Sequence, residues 1–383
     1  MKTKKTVLSH AEKWLALLGT FALAASAASA QSTTDSTLTD LLVKKGIITS
    51  DEAKQAIAEA SKSAADAPTT VISGRIYYDF TTIESKTESG KKLSTSGMGF
   101  DVKRFYLGVS HTFDKIWSIN LNTDSSYSST TGVVSTFIKT AYVQAKFDPM
   151  AIIQVGSANM PWLPFVEDIY GMRYVEKTLC DRISMANSAD WGLHVLGSNG
   201  FVSYNVAAVN GNGYKNLTRS KTVDYEGRVS IEPVKGLTFG VGGYTGKQGK
   251  DTETTPATRT ASRYSLMSAY ATKTFCVGVE YFTENNWGYT ASTHEDKADG
   301  FSIFGNVVIA DPISVFARYD CAKPSKTLYE DEKDNYFNVG VQYHVMKGID
   351  IALVYKNEEI DNPPSASQMA KYSEIGIFGQ IKF

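Results

Sequence analysis

From Val71 to Phe383, apolar and polar residues alternate with a period of two. Gly74, Ile76, Tyr78 and Phe80 fall on one face, and Ser73, Arg75, Tyr77 and Asp79 on the other. Phe105, Leu107 and Val109 oppose Arg104, Tyr106 and Ser110; Trp117, Ile119 and Leu121 oppose Ser118, Asn120 and Asn122. Ala141, Val143, Ala145 and Phe147 alternate with Tyr142, Gln144 and Lys146, and Phe337, Val339, Val341 and Tyr343 with Asn338, Gly340, Gln342 and His344. Successive side chains leave opposite sides of a pleated backbone, so this pattern predicts strands with one apolar and one polar face. About sixteen are expected, centred near residues 77, 107, 120, 142, 154, 193, 205, 228, 241, 267, 280, 305, 316, 341, 353 and 377.

The breaks between these strands alternate in length. Short turns fall at Asp114-Lys115, Asp148-Pro149, Ser198-Asn199-Gly200, Asp311-Pro312 and Lys347-Gly348, while long polar stretches fall near 84–99, 158–187, 246–262 and 358–370, among others. Tight turns on one side and longer loops on the other suit an antiparallel up-and-down transmembrane β-barrel, an all-β fold. A soluble sandwich has no reason to segregate its loops this way. About 20 residues per strand with its connection leaves room for the ~9–11 that a tilted strand needs to span a bilayer. A barrel of this size holds an aqueous channel, so the polar face is expected to line a pore and the apolar face to meet lipid.

Upstream of Val71 the pattern is different. Lys2, Lys4 and Lys5, an apolar run from Trp14 to Ala27, and Ala28-Ser29-Ala30 read as a secretory signal peptide over residues 1–30. Leu38, Leu41 and Leu42 recur at helical spacing before Gly46, and Thr49-Ser50-Asp51-Glu52 reads as a capping box opening a second helix. An Ala/Ser/Asp/Pro run from Ser61 to Thr70 follows as a linker. Residues 31–70 are therefore expected to be a short periplasmic helical extension, and 71–383 the barrel.

Composition narrows the picture further. The 21 Tyr, 18 Phe and 30 Gly suit many strands with aromatic girdles, and beyond the leader no run is long enough for a transmembrane helix. The formal charge is -1, which offers nothing for nucleic acid to bind. Cys180, Cys276 and Cys321 are an odd set at uninformative spacings, so at least one is expected to be a free thiol. No metal-spaced cluster and no Gly-rich phosphate loop appears, so no cofactor or metal is expected. The terminal row Ile375, Ile377, Gly379, Ile381 and Phe383 looks like the last strand of bacterial outer-membrane proteins, with Phe383 as the signal read by the barrel-assembly machinery.

The layout resembles the phosphate-selective porin O and P family. The resemblance rests on Leu41-Leu42-Val43-Lys44-Lys45-Gly46-Ile47-Ile48-Thr49, Ser73-Gly74-Arg75, Lys103-Arg104-Phe105-Tyr106-Leu107-Gly108-Val109 and Ala141-Tyr142-Val143, followed by Gln154-Val155-Gly156, Pro161, Glu167, Arg173-Tyr174-Val175-Glu176-Lys177 and Asp190-Trp191-Gly192. It implies a sixteen-stranded barrel, a homotrimer in outer-membrane lipid, and a third external loop folded into the lumen. The segment 158–187 meets that expectation on its own chemistry: Phe165, Ile169, Tyr174, Val175 and Leu179 should not stand in water.

Candidate pore-lining or constriction residues are Arg75, Arg104, Lys146, Arg228 and Arg318 on the wall and Arg173, Lys177 and Arg182 on the loop, since clustered cations concentrate anions. Arg75, Arg104 and Arg318 could form such a cluster at one height. Wall acids, including Asp79, Asp124, Asp224, Glu226, Glu280 and Asp320, nearly balance them and argue against a strong anion filter over the whole wall. The expected function is passive diffusion of small hydrophilic solutes or ions, phosphate and other anions among them. The competing class is a barrel-scaffold protease or lipase. Of the histidines, His111 falls in the lipid-facing register and His294 lies in a polar loop with no recognisable nucleophile motif.

Overall fold

A computed structural model describes residues 40–55, 68–128 and 133–383. The expected signal peptide and most of the expected linker lie outside these residues. The chain divides into a unit ending at Pro68 and a second running from Thr69 to Phe383. In the first, residues 40–44 and 50–55 are helical. Gly46, at φ +70°, follows the first helix. The capping box forms: the Thr49 amide donates to Glu52 Oε2 at 2.8 Å and the Glu52 amide to Thr49 Oγ1 at 3.2 Å.

The second unit is a closed antiparallel barrel of sixteen strands, each paired with its sequence neighbours and β1 closing onto β16. They are β1 (Thr69–Lys86), β2 (Gly97–Thr112), β3 (Trp117–Ser128), β4 (Val133–Asp148), β5 (Ala151–Asn159), β6 (Ala189–Ser198), β7 (Val202–Val209) and β8 (Asp224–Val234). The second half comprises β9 (Leu237–Gly246), β10 (Ala261–Ala271), β11 (Phe275–Asn285), β12 (Lys297–Ala310), β13 (Ile313–Lys323), β14 (Lys333–Met346), β15 (Ile349–Asp361) and β16 (Lys371–Lys382). Every expected strand centre falls inside its strand.

The alternation becomes a two-faced wall. On β11, Val277, Val279 and Tyr281 are exposed outside, and Cys276, Glu280 and Phe282 are buried inside. On β14, Val339 is 48% exposed and Asn338 1%. An apolar outer face around a closed sheet leaves no unpaired strand edge, which is the arrangement a bilayer requires.

Among the described residues the ladders shift register in six places, and four of these lie beside short turns. The other two sit in the wall. Between β1 and β2, Tyr77 faces Arg104 but Tyr78 faces Val102, leaving Lys103 as an extra residue. Between β3 and β4, Asn122 faces Thr140 but Thr123 faces Ile138, leaving Lys139 extra. A bulge inverts which face the following residues occupy.

Candidate functional site

The third long connection, loop 3 (160–188), folds inside the barrel. Its helix α1 (Leu163–Tyr170) carries Pro164 in the first turn and stops at Gly171, whose φ of 72° places it in the left-handed region. Leu163, Val166 and Tyr170 form its buried face. A second turn, α2 (Leu179–Arg182), buries Leu179 and Cys180. Trp162 and Phe165 lie on the bare inner backbone of β9: a Cβ at Gly242 would come within 2.4 Å of the Trp162 ring, and one at Gly240 within 2.7 Å of Phe165. Glycines here make room for aromatics that the apolar loop must bury.

Polar groups then fix the loop to the wall from β8 to β15. The Trp162 amide donates to Glu226 and its indole to Glu280, each at 2.9 Å. Arg263 donates to the Met185 carbonyl at 2.6 Å, and Arg228 to the Pro161 carbonyl at 3.0 Å with its guanidinium over Phe165. Arg182 reaches Asp320 at 3.1 Å, Asp334 at 3.0 Å, and Glu358. Arg318 pairs with Asp320 and donates to the Lys177 carbonyl. Lys356 bridges Glu176 at 3.1 Å and Glu374 at 2.9 Å. Burial by itself would raise the Glu176 carboxyl, but Lys356 and Lys103 outweigh it and hold it well below the usual carboxylate range. Burial likewise pushes the Cys180 thiol up. These buried pairs are held from both sides by hydrogen bonds, the condition under which charge inside a protein is tolerated.

Loop 3 also packs in one cluster with Tyr77 of β1 and Phe378 of β16, and Lys103 of β2 donates to the Val175 carbonyl at 3.1 Å; open space remains between it and the wall along β16, β1, β2, β3 and β4. Towards the short turns, a cavity of about 410 Å³ is faced by Arg75, Lys139, Arg173 and Lys382, against Glu167 and Asp168. Arg75 and Lys382 are direct cross-strand partners, a like-charge pairing that costs stability. Next to it, a cavity of about 220 Å³ shares Tyr106, Lys139 and Arg173 and adds Arg104, Lys177 and Lys215, against Asp124 and Asp181. Towards the long loops lies a wider space of about 970 Å³, where Asp79, Asp101, Glu176 and Glu374 outnumber Lys103.

The wall's charges are thus sorted by position. Many of the acids that balanced the basic residues in the sequence, Glu226, Glu280 and Asp320 among them, are spent on holding loop 3. Of the candidates, Arg75, Arg104, Arg173 and Lys177 line the passage. Arg182, Arg228 and Arg318 anchor the loop instead, so the expected cluster of Arg75, Arg104 and Arg318 does not form. Lys146 is exposed beside the β4–β5 turn, outside these cavities. Phe383 sits beside Arg75, its ring over Gly74, where a Cβ would approach within 2.3 Å.

Arg104 is neutralised by Asp124 at 2.9 Å, and Arg173 by Glu167 at 2.6 Å and Asp181 at 3.1 Å. Lys139 makes no ion pair among the described residues; its ammonium rests 5.1 Å over the Tyr106 ring. Continued from Val143 and Phe105, strict alternation would place Lys139 and Lys103 on the lipid face, and the bulges bring both inward. A lysine amid a lipid-facing strand costs several kcal/mol, and that expense was the available signal of a bulge.

No described protein family matches this chain, and no curated protein does. Several solved structures share the fold. The outer membrane channel DcaP of Acinetobacter baumannii aligns over 83% of this chain and 98% of its own, with a TM-score of 0.62 and 11% identity. An anion-selective porin from Comamonas acidovorans aligns over 82% and 100%, with a TM-score of 0.60 and 10% identity. A trimeric form of OmpT from Vibrio cholerae aligns over 83% and 100%, with a TM-score of 0.56 and 12% identity. At such identities the likeness is one of fold: the sixteen-stranded barrel of bacterial outer-membrane proteins.

Proposed function

We propose that this chain is an outer-membrane porin, a homotrimer whose water-filled channels pass small hydrophilic solutes and ions, anions ahead of cations. The observation that carries the reading is the pair of cavities left open between loop 3 and the wall beside β16 to β4. Its two narrower cavities present seven basic side chains and four carboxylate side chains. In a confined channel a small local excess of fixed charge acts at an effective dielectric below that of water and outweighs a neutral average. The trimer is supported by the OmpT form described as one, and passage of anions by the anion-selective porin of the same fold. Phosphate is the anion that the family resemblance suggests, and β16 ending on Phe383 is the segment offered to the barrel-assembly machinery. The purified protein in a planar bilayer tests the reading. Stepwise conductance with a reversal potential favouring chloride or phosphate is expected. Hydrolysis of peptide or lipid without conductance would replace the porin with the enzyme on a barrel scaffold.

A further inference from the structure

Loop 3 is not the only external loop that reaches the passage. The connection between β7 and β8, loop 4 (210–223), also turns inward. Its path is set by Asp190, whose carboxylate accepts the amides of Gly211 at 2.9 Å and Gly213 at 3.0 Å. Both glycines have positive φ, 92° and 72°, so the turn is one that other residues would strain. Tyr214 then reaches the far wall, where its hydroxyl donates to Asp124 of β3, the carboxylate that also holds Arg104. Lys215 follows with its ammonium 5.0 Å over Phe137 of β4 and 5.7 Å over Tyr214. The cavity of about 220 Å³ is thus framed by the wall, loop 3 and loop 4.

Resting on the porin reading above, we infer that loop 4 is a second jaw of the constriction, and that Lys215 on this jaw and Lys139 on the β4 bulge are the two cations that set the channel's preference for anions. Arg104, Arg173 and Lys177 in the same cavity each face a carboxylate, whereas Lys139 and Lys215 make no ion pair among the described residues. Each ammonium lies on aromatic faces, which position it without cancelling its charge. The acid-lined space towards the long loops leads past Lys103, Arg104 and Arg173 to the cavity that holds both lysines.

Reversal potentials across a potassium chloride gradient test the inference. Lys139→Gln with Lys215→Gln should lose most of the parent's chloride preference, and Lys139→Arg with Lys215→Arg should keep it. Tyr214→Phe retains every charge but releases the jaw from Asp124, so it should raise single-channel conductance while the channel stays anion-preferring. Lys146→Gln, outside the passage, should behave like the parent. If the double glutamine variant keeps the parent's reversal potential, the inference falls while the porin reading stands; if the parent prefers cations, the inference and the proposed anion preference fall together and only the channel itself stands. If the parent carries no current, the porin reading falls with it. An unaltered conductance in Tyr214→Phe would remove loop 4 from the constriction.

Discussion

Val339 and Asn338 are neighbours on β14 that live in different solvents. Val339 lies among the exposed apolar residues of the outer wall, and Asn338 is buried inside, donating to the Tyr336 hydroxyl at 2.9 Å. Val339→Asp should destabilise the barrel by up to about 2 kcal/mol, as a charge on the lipid face does. Asn338→Asp should cost less, because the Tyr336 and Tyr170 hydroxyls can turn to donate to the new carboxylate. Unfolding in urea from lipid vesicles compares the two, and equal losses would overturn the assigned faces. The same period-two reading that separates these residues assigns Lys103 and Lys139 to the wrong face. Alternation records the pleat, and one inserted residue inverts it without leaving a mark in composition. What was legible at this scale was the side each regular residue takes. What was not was the pair of irregular positions, and they carry charge into the passage.

Among the elements, strands were easier to read than loops. A strand's period repeats over ten or more residues, and its turns are marked by residues such as Asp114, whose carboxylate accepts the Ile116 and Trp117 amides. Loop 3 announced its burial through its apolar content, but its anchoring partners lie far off in sequence: Trp162 and Glu280 are 118 positions apart. No local pattern encodes such a pairing, so Arg182, Arg228 and Arg318 looked like pore charges when they are fastenings. Loop 4 is mostly polar and carried no sign that Tyr214 would cross to β3. The β9 glycines give this scale its test. Gly242→Val would drive side-chain atoms into the Trp162 ring and displace the start of α1, at an overpacking cost of about 1–3 kcal/mol. The barrel should still assemble, since its ladders are untouched, and its conductance should become larger or unsteady. Recordings identical to the parent would mean that α1 holds without that contact.

For the whole molecule, the decisive property is that loop 3 is pinned across the lumen and leaves open cavities beside β16 to β4. The anchoring takes up much of the acid of the wall, and the two narrower cavities keep an excess of base while the wider space towards the long loops is acidic. Total charge near neutrality therefore says little about the passage, because ions respond to charges within about a Debye length, ~10 Å in 0.1 M salt. Removing residues 165–182 should take away most of α1 and all of α2, open the lumen across its width, and expose Glu226, Glu280, Asp320 and Asp334 to it. Conductance should rise and anion preference should fall together. A narrower change separates the two effects. Arg173 stands between Glu167 and Asp181 and lines both narrow cavities. Arg173→Glu would set three carboxylates side by side where one cation now balances two, so the reversal potential should move towards cations with little change in pore width. Deletion that leaves conductance at the parent's value, in a barrel that still shows heat-modifiable mobility on gels, would mean that loop 3 does not limit flow. An unmoved reversal potential in Arg173→Glu would mean that selectivity does not depend on this position, leaving Lys139 and Lys215 of the same cavity as the cations that set it.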